Sequence, residues 1–432
     1  MAKILPFKGV LYNREKVKGF KSVVSPPYDV ISHAMKEELY KASPYNIVRI
    51  ILGKHSPDDN KSDNQYTRAA RFLEEWLRSG VLKKDTKPAI YVYEQEYLHK
   101  GKPKKRMGFI SLMRIEDPGK NLVLPHEYTF AKPKEDRLNL IRATGANTEP
   151  IFCIFQDNGN RVTNAIRGRG YAKKSKPVIN IRLEGIRNRI WRLADQDIIR
   201  KIQKALDKKQ VFIADGHHRY EVSLAFRDEM RKKLGLKDAG EFENLMVYFS
   251  SLTDDNLTIL STYRVIKNAG GMDWKTIELK LQPYFRIEEA KTKKAMFDAL
   301  EMVKTGYTFG MYFKNGKFYV LKLKNEAVLD KVIKEDKSRE WRRLNVTVLH
   351  YLVLGHILHV DKSSSNDENI LYTRDEDDAI GQVKSGKCEM AFFQVPTKMI
   401  QVRNIAAHGD RMPHKSTYFY PKPLSGLVLN KF

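Results

Sequence analysis

The chain has only two cysteines in 432 residues, Cys153 and Cys388. Each lies in an apolar, strand-like run, IFCIF and KCEMAFF, and no CxxC pair or Cys/His cluster accompanies them. A structural zinc site of the usual kind is not indicated, and two buried, unpaired thiols are expected. No stretch of about 18 consecutive apolar residues occurs, so no membrane span is expected. The opening MAKILPFKGVLYNREK has no apolar segment of secretory type, and a cytoplasmic protein is the expectation. Internal repeats of about 20–50 residues and long low-complexity tracts are also missing, which sets aside solenoids and fibrous proteins.

Acidic residues are outnumbered, 52 Asp and Glu against 78 Lys and Arg, for a formal charge of +26. The basic residues are spread along the whole chain and mixed with acids. The densest cluster is HKGKPKKR, residues 99–106, read as the loop of a hairpin. A lysine-rich solvated surface is therefore the first reading. Attraction for anionic substrates such as nucleotides is the second, and nucleic-acid binding the third. The length suits about two or three cores.

Periodicity gives a mixed α and β chain. Residues 64–79 pattern as an amphipathic helix with Phe72, Leu73, Trp76 and Leu77 on one stripe and Gly80 as its stop. AIYVYEQEY and RMGFISLMRI read as paired strands, and residues 177–194 as a second hairpin. TFGMYFKNGKFYVLKLK is a third, with Asn315-Gly316 at its turn. LNVTVLHYLVLGHIL, residues 344–358, is apolar all round and reads as a buried helix with His350 as a satisfied core histidine. The first 60 residues read as irregular. There Arg49 falls in an apolar strand-like run, YNIVRI, beside Asn46, and a salt bridge is its expected partner. Many hairpins without a βαβ rhythm predict an α+β fold.

VFIADGHHRYEVSLAF, residues 211–226, concentrates the chemistry. Val211 to Ala214 reads as a strand and His218 onward as a helix. Asp215, Gly216, His217, His218 and Arg219 then stand at a helix N-terminus. The first N–H groups there lack intrahelical partners and the dipole end is positive, so a phosphate is stabilised. Gly216 permits a tight turn and close approach. Arg219 can bind phosphate bidentately, and His217 and His218 can donate hydrogen bonds or move protons. Asp215 can take a proton from a hydroxyl or ligate a metal ion. These parts suit phosphoryl transfer, where positioning and charge neutralisation dominate. An ordinary Asp N-cap is the bland reading, but it leaves two imidazoles and a guanidinium unexplained. A metal hydrolase built on His217 and His218 ranks lower, because adjacent histidines cannot share a metal as i and i+4 histidines do.

DGHHRYEVSLA resembles the phosphate-holding turn of the ParB/sulfiredoxin-like superfamily, whose free serine kinases carry a DGHHR turn. The whole chain is similar to the family known as DUF1015. That likeness is carried by SPPYDVIS (25–32), PYNIVRIILG (44–53), PHEYTFAKPKEDRL (125–138), ADGHHRYE (214–221) and RMPHKSTYFYPK (411–422). The resemblance implies a ParB/sulfiredoxin-like nucleotide-binding core with an additional α/β domain, ATP and Mg²⁺ as cofactors, and phosphorylation of free L-serine to O-phosphoserine. One departure stands at Ser261-Thr262-Tyr263-Arg264, where Pro-Thr-His-Arg is expected; Tyr263 offers a hydroxyl in place of the imidazole.

The resemblance also assigns roles. An N-terminal acid acts as base in the serine kinases, and Asp29 in the stiff Pro26-Pro27-Tyr28-Asp29 turn fills that place; a turn aspartate bonding its own backbone is the alternative. Glu127 is a second candidate for base or magnesium ligand, together with Asp215. Arg137 and Lys134 are candidates for phosphate, and Lys415 and Ser416 for the nucleotide or the substrate carboxylate. Arg411 and Tyr28 are expected at the substrate. KST at 415–417 lacks the preceding GxxxxG of a P-loop.

The expected organisation is residues 1–265, containing the DGHHR core, and residues 266–432, whose final loop 411–422 returns to the site. A weaker break is expected near 158–175. The expected function is a free serine kinase using ATP and Mg²⁺. A ParB-like nucleotide switch or DNA-associated protein is the alternative and a metal-dependent hydrolase the second. The donor, ATP or ADP, and the choice of base stay open.

Overall fold

The computed structural model describes residues 3–432 apart from 118, 168–174, 208, 236–239, 255, 304–305 and 361–368. The fold is α+β, with several sheets. The chain divides into two compact units. The first holds 1–125, 129–258 and 421–432, and the second holds 126–128 and 259–420.

The first unit is built on a nine-stranded mixed sheet. Its strands run in the order Val123–Leu124, Val211–Asp215, Ile151–Phe155, Asn244–Ser251, Lys102–Arg114, Ile90–His99, Ile186–Leu193 and Ile179–Leu183, and Ile4–Leu5 pairs with Lys102–Arg114. The long hairpin 90–114 turns at Lys100 and Gly101, both left-handed (φ 49° and 73°), as a two-residue type I′ connection requires. Alternation sorts the two faces of the sheet. Ile90, Val92, Phe109, Cys153, Ile213 and Phe249 pack with the helices Arg161–Arg167 and Gln196–Leu206 in one core. Tyr91, Tyr93, Phe152 and Tyr248 alternate with those residues and are buried too.

The helix Gln65–Arg78 forms where the stripe predicted it, with Leu73 and Trp76 buried and Gly80 at φ 74°. Both cysteines are buried and free. The first 60 residues correct the sequence reading. Among the described residues they hold two α-helices, His33–Ala42 and the single turn Val48–Ile51, besides two short 3₁₀ turns. Arg49 therefore lies in a helix, not in a strand. Its guanidinium donates to Tyr40 O (2.9 Å) and stacks on the Tyr40 ring (4.5 Å), and among the described residues these contacts stand in place of a salt bridge. VRII is apolar because that turn is buried, and four residues are too few to show a helical period. Of the break expected near 158–175, residues 168–174 lie outside the described residues.

The second unit holds a six-stranded antiparallel sheet in the order Phe285–Ala290, Phe318–Leu323, Thr308–Phe313, Met390–Phe393, Tyr263–Ile266 and Ile370–Thr373. Both faces are covered. Phe309, Met311 and Phe313 meet the apolar segment 344–358 on one side, and Tyr312 meets the helices Lys293–Met302 and Glu376–Lys384 on the other. The segment 344–358 is buried as expected. From Leu349 to Ile357 it is wound as a π-helix, a rarer form that hydropathy cannot distinguish. His350 there accepts from Arg264 Nε at 3.0 Å.

Candidate functional site

Val211–Asp215 is apolar and buried as far as Ala214. Its pairing with Ile151–Phe155 slips between Ile213 and Asp215. Such a bulge re-aims the residue at its end, here Asp215. The chain turns at Gly216 (φ 92°, ψ 31°) and enters the eighteen-residue helix His217–Leu234. A Cβ on Gly216 would stand 2.9 Å from Ile151 Cγ2 and 3.1 Å from Arg219 Nε. Both the turn and the close approach therefore demand glycine. Gly216 brings no capping side chain, so the positive end of the helix is not covered by its own N-cap.

The oxygens of Asp215 are divided between two cations. Oδ2 accepts from Arg219 Nη2 at 2.8 Å, and Oδ1 lies 2.6 Å from Lys422 Nζ. The same ammonium donates to Asp29 Oδ2. Asp29 sits in the short 3₁₀ turn Tyr28–Val30, which Pro26-Pro27 introduces. Side-chain exposure is 8% for Lys422, 16% for Asp215 and 35% for Asp29. Burial opposes the charge on Lys422, but Asp215 and Asp29 outweigh it and raise its pKa well above the ordinary lysine value. Lys422 is thus a charged, buried bridge between the two acids.

Backbone contacts hold that lysine in place. Arg106, fully buried on the hairpin 90–114, donates from Nη2 to Pro421 O and to Gln95 Oε1. Gln95 Nε2 donates to Lys422 O at 3.2 Å. Arg106 stacks 4.8 Å from the Phe152 ring. Further along, Ser425 exchanges backbone hydrogen bonds with Ser25 and donates its hydroxyl to Glu149 Oε1 (2.5 Å).

Glu149 also accepts from Tyr28 N at 3.2 Å. The Tyr28 ring lies 4.2 Å from the Arg137 guanidinium and 6.0 Å from that of Arg219. Burial pushes the Tyr28 hydroxyl up to about 12, against the pull of Arg219 and Arg137. Arg219, expected to grip phosphate, gives Nη1 to Pro150 O (2.7 Å) and Nη2 to Asp215. Burial works against its charge, but Glu149 and Asp215 outweigh it and raise its pKa. Arg137 is similarly engaged, with Asp136 Oδ2 (2.6 Å) and Ile51 O (2.7 Å). Lys134 pairs with Glu221 at 3.2 Å. His218 Nε2 accepts from Phe130 N at 3.0 Å, and His217 is buried.

The first unit thus gathers Asp215, Gly216, Arg219, Tyr28, Asp29 and Arg137. His217, His218 and Lys134 belong to the same unit, whereas Glu127, Arg411, Lys415 and Ser416 belong to the second. There Glu127 O accepts from Arg411 Nη1 at 3.1 Å, and Glu127 bridges Met412. Ser416 is buried and donates to Pro413 O, while Lys415 adopts φ 55° and its carbonyl accepts from Arg264 at 3.0 Å. Tyr263 Oη lies 3.4 Å from Glu376. Among the described residues no group of three or more His, Cys, Asp and Glu stands as a metal cluster.

Two participants were not found in the sequence, Glu149 and Arg106. Glu149 gave no signal beyond one acid ahead of an apolar strand. Arg106 did give one, a cation beginning the apolar run RMGFISLM. Lys422 ends the motif RMPHKSTYFYPK (411–422), and its bridge to Asp29 spans almost the whole chain.

A family model described as "Protein of unknown function (DUF1015)" matches residues 4–347. No curated protein matches the sequence. Among solved structures, a conserved hypothetical protein from Pyrococcus furiosus aligns with TM-score 0.34 and 13% identity over 72% of this chain and 90% of that one. A free serine kinase in complex with AMP aligns with TM-score 0.34 and 12% identity over 72% and 86%. Among the described residues, no helix is long and apolar enough to cross a membrane.

Proposed function

The chain belongs to the DUF1015 family, and we propose that it is a small-molecule kinase that transfers a phosphoryl group from ATP to the hydroxyl of free L-serine. The observation that carries this reading is the meeting of Asp215 and Asp29 on one ammonium beside the glycine turn that opens the helix His217–Leu234. A helix N-terminus approached closely through glycine favours phosphate. A pair of carboxylates beside it supplies a base for a hydroxyl. Serine as the acceptor comes from the resemblance of the DGHHR turn to that of the free serine kinases.

In this mechanism the first turn, Gly216 to Arg219, receives the phosphates. Asp29 or Asp215 takes the proton from the serine hydroxyl as its oxygen bonds to the γ-phosphorus. The bond from that phosphorus to the bridging oxygen breaks, and ADP leaves with the electron pair. Arg219 orients Asp215 through the contact already made. Glu149 and Arg137 hold Tyr28, the neighbour of Asp29 in its turn. Asp29 and Asp215 offer the hard oxygen donors that Mg²⁺ takes; bound there, it would neutralise phosphate charge.

The test is serine-dependent release of ADP from ATP. Wild type should turn over only with serine present, and Asp215→Asn should abolish turnover with its thermal melt retained. Near-normal turnover by that variant would remove Asp215 from the mechanism. DNA affinity with a steep salt dependence, in place of turnover, would move the assignment to a ParB-like protein.

A further inference from the structure

The second unit holds a cavity of about 200 Å³ that the mechanism above does not use. By that measure a single water needs only about 10–15 Å³, so a small molecule fits. The strand Thr308–Phe313 reaches the cavity with Thr308, and the helix Lys293–Met302 with Leu300. Arg343, Asn345, Lys398 and Gln401 bring polar groups to its wall. Leu300, Tyr307 and Thr308 are buried, whereas Lys398 and Glu326 are exposed, so the cavity runs inward from the surface.

Positive charge prevails around it. Arg343 Nη2 donates to Asp330 Oδ2 at 2.7 Å, while Nη1 is buried and meets no acceptor among the described residues. A buried guanidinium arm left so is costly, and an oxygen ligand would relieve it. Bonded to Arg343, with the charges of Arg342 and Arg339 adding to the effect, the Asp330 carboxyl is held below its usual value. Three guanidinium groups thus act on that one carboxylate. Among the described lining residues Glu326 is the one acid. Lys398 and Gln401 open the nine-residue helix Met399–Ala407, whose dipole adds to the positive side. Gln401 Oε1 accepts from Lys398 N at 2.9 Å, which leaves the amide hydrogens of Gln401 as donors.

We propose that this cavity is a second ligand site, which takes the phosphate group of a small molecule. Arg343 offers the planar fork that matches phosphate oxygens, and Lys398 a point charge. Gln401 and Thr308 add neutral donors. Leu300, Val303 and Val395 give an apolar wall for a carbon skeleton, which favours a phosphomonoester over the free ion. Glu326 can accept from a hydroxyl or ammonium group on that skeleton. The site shares no residue with the cluster around Gly216 and does not depend on serine phosphorylation.

The experiment titrates the full chain by calorimetry with glycerol phosphate, inorganic phosphate and succinate, on wild type, Lys398→Glu, Thr308→Val and Arg343→Lys, with a thermal melt of each. Lys398→Glu places an acid at a helix start, where it is favourable, so its melt should not fall. Its affinity for glycerol phosphate should drop by about 10–100-fold, as for loss of a hydrogen bond to a charged group. Thr308→Val should weaken binding less, and Arg343→Lys should keep the charge but lose the fork. Because phosphate can also meet the turn at Gly216, the loss in these distant variants is what places the ligand in the cavity. Tighter binding of glycerol phosphate than of inorganic phosphate assigns the site to a phosphomonoester, and equal binding assigns it to the free ion; both keep a phosphate site. Affinities within about twofold of wild type in both Lys398→Glu and Thr308→Val would overturn the proposal. So would succinate bound as tightly as either phosphate, or no phosphate binding by wild type.

Discussion

At the scale of single residues, the site depends on groups that tolerate no neighbour of another size or charge. Gly216 combines a left-handed φ of 92° with a Cβ direction blocked by Ile151 and Arg219. Gly216→Ala should lose about 1–2 kcal/mol from the backbone alone, before the displaced Arg219 disturbs Asp215. Urea denaturation should show that loss, and ATP calorimetry a weaker fit at the turn. Unchanged stability would mean that the turn relaxes without strain. This residue was legible in the sequence, since Asp-Gly between an apolar run and a helical period marks a turn. The engagement of Arg219 was not legible. A guanidinium four residues after an acid reads equally well as phosphate ligand or as ion-pair partner. The choice is made by Pro150 O and Asp215, which only the folded sheet brings near.

At the scale of elements, legibility followed turn chemistry. The hairpins 90–114, 179–193 and 308–323 form where glycine and asparagine mark their turns. The helix Val48–Ile51 was missed because one buried turn has no period to read. The winding of Leu349–Ile357 as a π-helix was missed because every face of it is apolar. In the second unit the turn Arg339–Arg342 is held at its start by Asp410, whose Oδ2 accepts from Ser338 N at 2.8 Å. Burial alone would raise the Asp410 pKa, but Ser338 and Lys337 outweigh it and bring it below the usual value of 3.8. A carboxylate with a lowered folded pKa stabilises above its unfolded pKa and loses that stabilisation as pH falls through the folded value. Asp410→Asn should therefore melt lower than wild type at about pH 6, and the two should converge below about pH 4. A gap that persists undiminished in acid would show that the carboxylate charge is not what matters.

At the scale of the whole molecule, the last twelve residues return to the first unit. Leu424, Leu427, Val428 and Leu429 are all at most 7% exposed, and Asn430 and Lys431 pair with Asn147 and Ala146. Each such apolar side chain stabilises by roughly 1.5–3 kcal/mol when fully buried. Deleting residues 421–432 should lower Tm markedly and abolish activity together, because the deletion takes core and Lys422 at once. A truncated chain with native Tm would contradict that placement. The closing GDRMPHKSTYFYPKPLSGLVLNKF is polar, aromatic and proline-broken and reads from sequence as a functional loop; a tail that returns across the chain leaves no local pattern that would show its pairing with Ala146 and Asn147. The charge of +26 was legible, and it favours anionic substrates without naming one.

Transfer of a phosphoryl group to free serine is open to a single direct experiment, ³¹P NMR of the intact protein with ATP, Mg²⁺ and L-serine. A serine kinase should give a new O-phosphoserine resonance that grows with ADP and needs serine. No such resonance, with ATP or with ADP as donor, would contradict it and leave the glycine turn as a nucleotide site without kinase chemistry.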